Sequence, residues 1–282
     1  MSNSRLLAVT LPAMALIALG AGNVAHSSTA NVVTVTARDF TFDAPDTIQA
    51  GLTTFELINK GPELHHIWLV RLDQGKTLAD LTAAMQQGGH TFPSWAVDVG
   101  GPQPATPGTN TNATVQLTPG NYVILCVIPS GDGKPHLMKG MLRPLTVVAA
   151  KRANGSAAKP EVATKPDVEI ALADYGFSFS KPITSGRQLL RFTNDAAQSH
   201  EAFIVKLEPG KSVSDMLAWV EKQQGPPPGA PMGGITGIAK GVENTIELTF
   251  TPGEYGLICF IPDAKDGKPH FAHGMMHQFT VR

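Results

Sequence analysis

The chain has 282 residues, with 22 lysines and arginines against 23 aspartates and glutamates and a formal net charge of -1. This length suits two domains of roughly 110–130 residues each. No stretch concentrates enough basic residues to follow a phosphate backbone, which argues against nucleic acid as a partner. Glycine (28) and proline (22) are frequent, and short apolar runs rich in Val, Ile, Thr and Phe lie between them. This pattern predicts an all-β fold.

The N-terminal segment has the composition of an export signal. One positive charge in "MSNSR" precedes the apolar run "LLAVTLPAMALIALGAG", and small residues follow. We therefore expect a signal peptide over residues 1–30, cleaved near Ala25 or Ala30, and a periplasmic or secreted protein with no membrane span in the mature chain. A retained anchor is the alternative, although Pro12 interrupts the run and its length is marginal for a membrane span.

An internal repeat organises the rest of the chain. "GPELHHIWLVRLDQGKTLADL" returns as "AAQSHEAFIVKLEPGKSVSDM", with an offset of 135 between His65 and His200, and "LTPGNY" returns as "FTPGEY". Such self-similarity indicates a tandem duplication. We predict one domain over residues 31–149, a linker rich in Ala, Lys and Pro over 150–167, and a second domain over 168–282.

Within each copy the pattern is that of strands and turns. In chain order the first copy has "NVVTVTARDFTF", "TTFELIN", "HIWLVRL", "ATVQLTPGNYVILCV" and "LRPLTVV", with counterparts in the second. Residues 77–87 and 212–224 instead have a capped helical pattern. The prediction is two tandem Greek-key β-sandwiches, each with a short helix between strands. We expect the Gly/Pro-rich segments "GGPQPATPG" and "GPPPGAPMGG" to cover one end of each sandwich.

Each copy carries the same set of possible metal ligands. A histidine opens a strand, a cysteine closes a later strand, a second histidine lies in the following loop, and a methionine follows five residues later. Two imidazoles, one thiolate and an axial thioether are the donors that a blue-copper electron-transfer site requires. The candidates are His65, Cys126, His136 and Met141 in the first copy, and His200, Cys259, His270 and Met275 in the second.

These motifs resemble those of the cupredoxins, the family of plastocyanin, azurin and pseudoazurin. "GNYVILC…PHLMKGM" and "GEYGLIC…PHFAHGM" resemble the family's G-x-Y-x-x-x-C strand followed by H-x4-M, and "NKGPELH" resembles its N-x-G-x-x-x-H strand entry. The resemblance covers nearly all of residues 32–149 and 168–282. It implies one type 1 copper per domain, up to two in all, bound by the eight candidate ligands. It also implies redox partners such as a cytochrome or a copper enzyme.

Two features depart from the family pattern. Cys126 and His136 are separated by nine residues (127–135), and Cys259 and His270 by ten (260–269). Small cupredoxins usually have two to four residues there, so these loops are closer to the loop of the blue-copper domain in copper nitrite reductases. The family often has an Asn after the first histidine, which ties the two ligand loops together. Here that position is His66 or Glu201, so we expect support for the ligand loops to come from elsewhere.

The sequence contains no sign of a second kind of copper. There is no H-x-H pair, and the residues before the two cysteines are Leu125 and Ile258 rather than histidine. We therefore predict that the chain is not an enzyme, and that it carries single electrons between redox partners with His136 and His270 as exit ligands near the surface.

Other interpretations of the same residues stay open at this stage. The two cysteines could form an interdomain disulfide, the default for an exported chain with two cysteines, or could be inert buried thiols. The whole protein could be a copper-binding or copper-delivery protein without a redox role. It could also be a metal-free duplicated sandwich that serves as a scaffold.

Overall fold

The computed structural model describes residues 30–87, 91–150, 165–222 and 224–282. Almost all of the expected signal peptide and most of the expected linker lie outside these ranges. Within them, no helix is both long enough and apolar enough to cross a membrane.

The first half of the chain forms a β-sandwich with one α-helix inserted between strands. The strands of one sheet alternate buried and exposed residues, as in β1, where Val33, Val35 and Ala37 point into the core, whereas β5 and β8 of the other sheet are buried at most positions. Its elements are β1 (Asn31–Arg38), β2 (Thr41–Asp43), β3 (Thr47–Gln49), β4 (Gly51–Asn59), β5 (Trp68–Leu72), α1 (Leu78–Gln86), β6 (Ala96–Gly100), β7 (Asn110–Leu117), β8 (Gly120–Leu125) and β9 (Leu142–Val148).

The second half repeats this order of elements, except that none of its described strands corresponds to β3. In β10 the buried residues are Val168, Ile170 and Leu172. Its elements are β10 (Val168–Ala173), β11 (Gly176–Phe179), β12 (Gly186–Asn194), β13 (His200–Leu207), α2 (Val213–Lys222), β14 (Gly229–Ile238), β15 (Glu243–Phe250), β16 (Gly253–Ile258) and β17 (Met276–Val281). The predicted fold class, all-β with two tandem sandwiches, is confirmed.

Both helices begin where the sequence predicts them, because each has a capping box. Asp80 N–H donates to Thr77 Oγ1 at 3.2 Å, and Thr77 N–H donates back to the Asp80 carboxylate at 2.8 Å. Ser212 and Asp215 exchange the same two bonds. These bonds satisfy main-chain donors that the first helical turn leaves free.

A tyrosine fixes the turn before the strand that leads to each cysteine. The hydroxyl of Tyr122 donates to Thr118 O at 2.8 Å, and that of Tyr255 donates to Thr251 O at 2.8 Å. Both rings are buried. This side-chain bond holds the end of the "TPG" turn against the core, which sets where β8 and β16 begin.

The two sandwiches share both of their sheets. One sheet has the strand order β11-β10-β12-β15-β7-β4-β1-β2, and the other has β17-β16-β13-β14-β6-β5-β8-β9-β3. The halves therefore meet edge to edge along a seam where β15 pairs with β7 and β14 pairs with β6, both antiparallel. Each half covers edge strands of the other that would otherwise present unpaired main-chain groups.

Side chains reinforce the seam from the buried side and from the surface. Asn244, which is 1% exposed, accepts a hydrogen bond from Gly101 N–H at 3.0 Å and donates to Val99 O at 2.8 Å. Nearer the surface, Asn112 donates to Glu247 O at 2.9 Å and accepts from Glu247 N–H at 3.0 Å. Buried main-chain groups at the seam thus have partners from the opposite half.

Parts of the Gly/Pro-rich segments lie at this seam, whereas the sequence predicted that they cover the ends of the sandwiches. The second segment contains the first six residues of β14, and Pro102 in the first forms a bridge with Ile235 across the seam. Close approach explains the glycines. Gly100 has a φ of +94°, and a Cβ there would lie 2.0 Å from Asn244 Oδ1, so a side chain does not fit.

We expect replacement of Asn244 by alanine to destabilise the protein far more than replacement of Asn112. Asn244→Ala leaves buried main-chain groups without partners, so the free energy of unfolding should fall by about 2–4 kcal/mol. Asn112→Ala exposes its partners to water and should cost less than about 1 kcal/mol. Urea denaturation of the metal-free protein measures both values. Equal losses of stability in the two variants would contradict the conclusion that Asn244 stabilises the seam by bonding buried main-chain groups.

Candidate metal centres

The first centre brings together three donor atoms that lie up to 71 residues apart in the sequence. His65 Nδ1 and His136 Nδ1 are 3.1 Å apart, and Cys126 Sγ lies 3.5 Å from His136 Nδ1. All three side chains, and that of Met141, are completely buried. Two imidazole nitrogens and one sulfur therefore converge on one point in a water-excluded interior.

The second centre repeats this geometry. His200 Nδ1 and His270 Nδ1 are 3.0 Å apart, and Cys259 Sγ lies 3.4 Å from His270 Nδ1. These side chains and that of Met275 are also fully buried. Both cysteines are free thiols, which rules out the disulfide that was one reading of the sequence.

Matching main-chain hydrogen bonds place the methionines beside the cysteines. Cys126 N–H donates to Met141 O at 3.1 Å, and Met141 N–H donates to His136 O at 3.0 Å. Gly140, with a φ of +104°, ends the short 3₁₀ turn between His136 and Met141 and turns the chain back. The nearby Met138 is 59% exposed, so Met141 is the methionine that the fold buries at this centre. The second centre has the same bonds between Cys259, Met275 and His270.

The long loops between cysteine and histidine fold back on themselves. In the first, Pro129 forms a bridge with Pro135, Ser130 N–H donates to Lys134 O at 2.9 Å, and His136 N–H returns to Ile128 O at 2.9 Å. In the second, Pro262 and Pro269 form the equivalent bridge. The extra residues project as a small hairpin, so the histidine re-enters the site at the same place in both halves.

Carboxylates hold the outer nitrogens of three of the four imidazoles. His65 Nε2 is 2.6 Å from Asp39 Oδ1, His136 Nε2 is 3.0 Å from Glu63 Oε2, and His200 Nε2 is 2.9 Å from Asp174 Oδ1. An ionised carboxylate can only accept, so each Nε2 carries the proton and the Nδ1 lone pair faces the centre. Asp39 and Asp174 were missed at the sequence level, although they share the 135-residue offset of the repeat.

The fourth imidazole has different surroundings. His270 Nε2 has no hydrogen-bond partner among the described residues, and Asp263 Oδ2 lies 3.8 Å away. That carboxylate instead accepts from the Tyr175 hydroxyl at 2.6 Å and from Gln198 Nε2 at 2.8 Å. Burial lowers the pKa of His270 to about 4. The two centres therefore have the same candidate donors but unequal support around them.

The loop histidines, which the sequence predicted to lie near the surface as exit ligands, are each covered by an aromatic ring. His136 and His270 are both fully buried. The ring of Phe40 covers His136 at a centroid distance of 4.9 Å, and Tyr175 covers His270 at 5.5 Å. Both aromatic residues lie in turns after the first strand of their half. The sequence could not show this cover, because it comes from a segment about 95 residues from the histidine.

Each cysteine sulfur accepts main-chain hydrogen bonds in an apolar setting. Cys126 accepts from the N–H groups of His66 and Ile128, and Cys259 accepts from those of Glu201 and Ile261. Burial outweighs these bonds and raises the pKa of the Cys126 thiol to about 12; it also raises the pKa of Cys259. Both sulfurs are therefore protonated at neutral pH until a metal displaces the proton.

His66 and Glu201 tie the two ligand loops of each centre together, contrary to the expectation that support would come from elsewhere. Val127 N–H donates to His66 Nε2 at 3.0 Å, and Phe260 N–H donates to Glu201 Oε1 at 2.8 Å. In both halves the residue after the first histidine thus bonds the residue after the cysteine. A histidine ring and a carboxylate can both accept from this N–H, so both halves have the hydrogen bond although the residue type differs.

Solved structures that resemble this chain include an auracyanin and copper enzymes. The auracyanin of Roseiflexus castenholzii is 19% identical with a TM-score of 0.29, over 43% of this chain and 99% of its own. A copper-containing nitrite reductase from Thermus scotoductus is 14% identical with a TM-score of 0.24, over 90% of this chain and 62% of its own. A blue copper oxidase from Nitrosomonas europaea is 12% identical with a TM-score of 0.26, over 90% and 86%.

The fold is cupredoxin-like. The resemblance seen in the sequence motifs is confirmed at the level of the fold. No protein-family model matches the chain, and no curated protein matches it either.

The prediction that the chain is not an enzyme is wrong as stated. The nitrite reductase and the oxidase each align with 90% of this cupredoxin-like chain, so paired sandwiches of this kind also occur in enzymes. The prediction relied on motifs of neighbouring residues. A second metal site can be built from residues far apart in the sequence, as the two centres here illustrate. The lack of an H-x-H pair therefore does not exclude a second kind of copper site.

We expect a divalent ion to displace one thiol proton when it binds the second centre. The pKa of Cys259 is raised by burial, whereas those of His200 and His270 are lowered. Near pH 7 the thiol is therefore the group that releases a proton, and the affinity should rise about tenfold per pH unit. Zn²⁺, which does not oxidise thiols, is a suitable probe.

Calorimetry in buffers of different ionisation enthalpy counts these protons. The test compares Cys126→Ser, which keeps the second thiol, with the double variant Cys126→Ser/Cys259→Ser. The single variant should release about one proton more per bound ion. If the two variants release the same number, Cys259 does not bind the ion as a thiolate.

Proposed function

We propose that this chain is a two-centre type 1 copper protein that carries single electrons between redox partners. One observation supports it most directly. At the first centre the carboxylates of Asp39 and Glu63 hold the outer N–H groups of His65 and His136, so two Nδ1 lone pairs face each other at 3.1 Å beside a cysteine sulfur. Such an arrangement is repulsive until a cation occupies the point between them.

The donor set fits copper. Thiolate sulfur favours Cu(I), imidazole nitrogen favours Cu(II), and a buried thioether is a suitable weak axial donor. Copper held in this way would supply a reversible one-electron couple. The chain's own residues orient the imidazoles, exclude water and limit rearrangement when the charge changes. We propose as ligands His65, Cys126, His136 and Met141 at the first centre, and His200, Cys259, His270 and Met275 at the second.

Burial favours this proposal over the two alternatives from the sequence. A delivery protein must present its ligands to a recipient, whereas all eight candidate ligands are 0% exposed. A metal-free scaffold would bury four imidazoles and two thiols for no purpose, and buried polar groups are costly unless they are satisfied. Permanent occupation by a redox-active ion accounts for both features.

The proposal includes export and external partners. The leader-like composition of residues 1–30 suggests a periplasmic or secreted location. Copper carriers exchange electrons with other redox proteins, so we propose a cytochrome or a copper enzyme as the partner. N-terminal sequencing of the protein recovered from each cell fraction would test the location, and retention of residues 1–30 would contradict it.

Copper titration of the mature chain should produce an intense visible band from thiolate-to-copper charge transfer. Each centre depends on its own sulfur, so Cys126→Ser and Cys259→Ser should each remove about half of the band, and the double variant should remove all of it. A redox titration should show that the band disappears and returns with one electron per ion. Copper that binds without this band, or without reversible reduction, would contradict the proposal.

The axial role of Met141 gives a matched comparison with its neighbour Met138. Met141 is buried at the centre, whereas Met138 is 59% exposed on the same turn. Met141→Leu removes the axial donor and leaves three ligands, a coordination number that Cu(I) tolerates better than Cu(II), so we expect the reduction potential of the first centre to rise. Met138→Leu should leave it unchanged. Spectroelectrochemistry in the Cys259→Ser background isolates this centre, and equal effects of the two variants would exclude Met141 as the axial ligand.

A further inference from the structure

A single glutamine joins the two halves between the centres. Gln103 follows β6, is 3% exposed, and reaches across the seam. Its Nε2 donates to Glu201 Oε2 at 2.8 Å, and its side chain also forms a hydrogen bond with the ring of His66. Gln103 therefore touches the residue that follows the first histidine in both halves.

Its two partners are themselves bonded to the cysteines. The main-chain N–H of His66 donates to Cys126 Sγ, and that of Glu201 donates to Cys259 Sγ at 3.5 Å. His66, Gln103 and Glu201 thus form a continuous covalent and hydrogen-bonded connection from one sulfur to the other. All three residues are at least 95% buried, so water does not compete for these bonds.

The chemistry of the side chains fixes the direction of each bond. Val127 N–H donates to His66 Nε2, so the ring proton of the neutral imidazole is on Nδ1 and is donated to Gln103 Oε1. Because Nε2 accepts the bond from Val127, the ring is neutral. The Gln103 amide then donates through Nε2 to Glu201. A glutamine suits this position because it must accept on one side and donate on the other.

We propose that His66, Gln103 and Glu201 form an internal route along which one electron passes between the two centres. This inference rests on the proposed function. The step is balanced in itself, because one centre is oxidised by one electron while the other is reduced. It breaks no bond and needs no proton or further reactant. The two centres then act as one unit that accepts an electron at one end and gives it up at the other.

A second group of buried hydrogen bonds crosses the seam through Asp98, but it connects the two centres less directly. Trp68 Nε1 donates to Asp98 Oδ1 at 2.9 Å, and the Ser199 hydroxyl donates to Asp98 Oδ2 at 2.5 Å. Ser199 precedes His200, but Trp68 meets the His66 ring only edge-on, at a centroid distance of 6.2 Å. This connection has a gap on the side of the first centre, whereas Gln103 contacts the residue next to the first histidine of both centres.

The test measures electron transfer inside the copper-loaded full chain. The parent for all variants carries Met275→Gln, which changes the axial donor of the second centre and so gives the two centres different bands and potentials. Pulse radiolysis delivers less than one electron per molecule, and the two bands report its movement. Gln103→Met keeps the size of the side chain but removes both hydrogen bonds. Thr236→Val is the control, because Thr236 bonds to Ile67 O in the same buried seam but lies off the route.

We expect Gln103→Met to keep both bands and to slow the transfer by about tenfold or more, since it interrupts a contiguous network. Thr236→Val should stay within about twofold of the parent. If Gln103→Met keeps both bands and the parent rate, the route does not include Gln103. If Gln103→Met does not fold, Gln103→Asn replaces it in the same rate measurement. Asparagine keeps the amide, but its side chain is too short to reach both His66 and Glu201.

Two further results separate this inference from the proposed function. If the wild-type chain shows no thiolate-to-copper band, the proposed function fails and the inference fails with it. If the bands appear but the Gln103 variants do not change the transfer rate, this inference is wrong while the proposed function stands. In the metal-free chain, NMR should show Gln103 side-chain amide protons that exchange slowly and that shift in Glu201→Gln. Fast exchange, as in an exposed glutamine, would show that the connection does not exist in solution.

Discussion

The edge-to-edge pairing of the two sandwiches is the constraint on which the rest of the structure depends. β14 pairs with β6 and β15 with β7, so both sheets continue through the whole molecule. This pairing buries segments that a separate sandwich would leave in water, including Gly100 and Gln103. It also fixes the position of one centre relative to the other. A chain of two linked, independent sandwiches would have neither property.

Within each half, the geometry of the centre is prepared by groups that do not themselves face the metal position. Carboxylates orient the imidazoles, main-chain N–H groups point at the sulfurs, and an aromatic ring from an early turn closes the site. The supports are unequal. Glu63 bonds to His136, whereas Asp263 lies 3.8 Å from His270 and is bound by Tyr175 instead. Because charge near a ligand influences the metal, the two centres are chemically distinct despite equal donors.

The residues that depart from the cupredoxin pattern have a shared explanation in the structure. His66 and Glu201 replace the usual Asn, and both still bond the residue after the cysteine. Their longer side chains also reach the seam, where an Asn at both positions would leave Gln103 without partners. Both replacements thus keep the bond between the ligand loops, and Glu201 adds a hydrogen bond across the seam to Gln103.

Much of the fold and the candidate site could be predicted from the sequence. The alternation in β1 and β10, the capping boxes at Thr77 and Ser212, and the repeated order of histidine, cysteine, histidine and methionine are local patterns, and local patterns persist in the folded chain. The tertiary structure alone decided the rest. The seam, the burial of His136 behind Phe40 and the contacts of Gln103 all depend on contacts between distant segments, which no spacing in the sequence encodes.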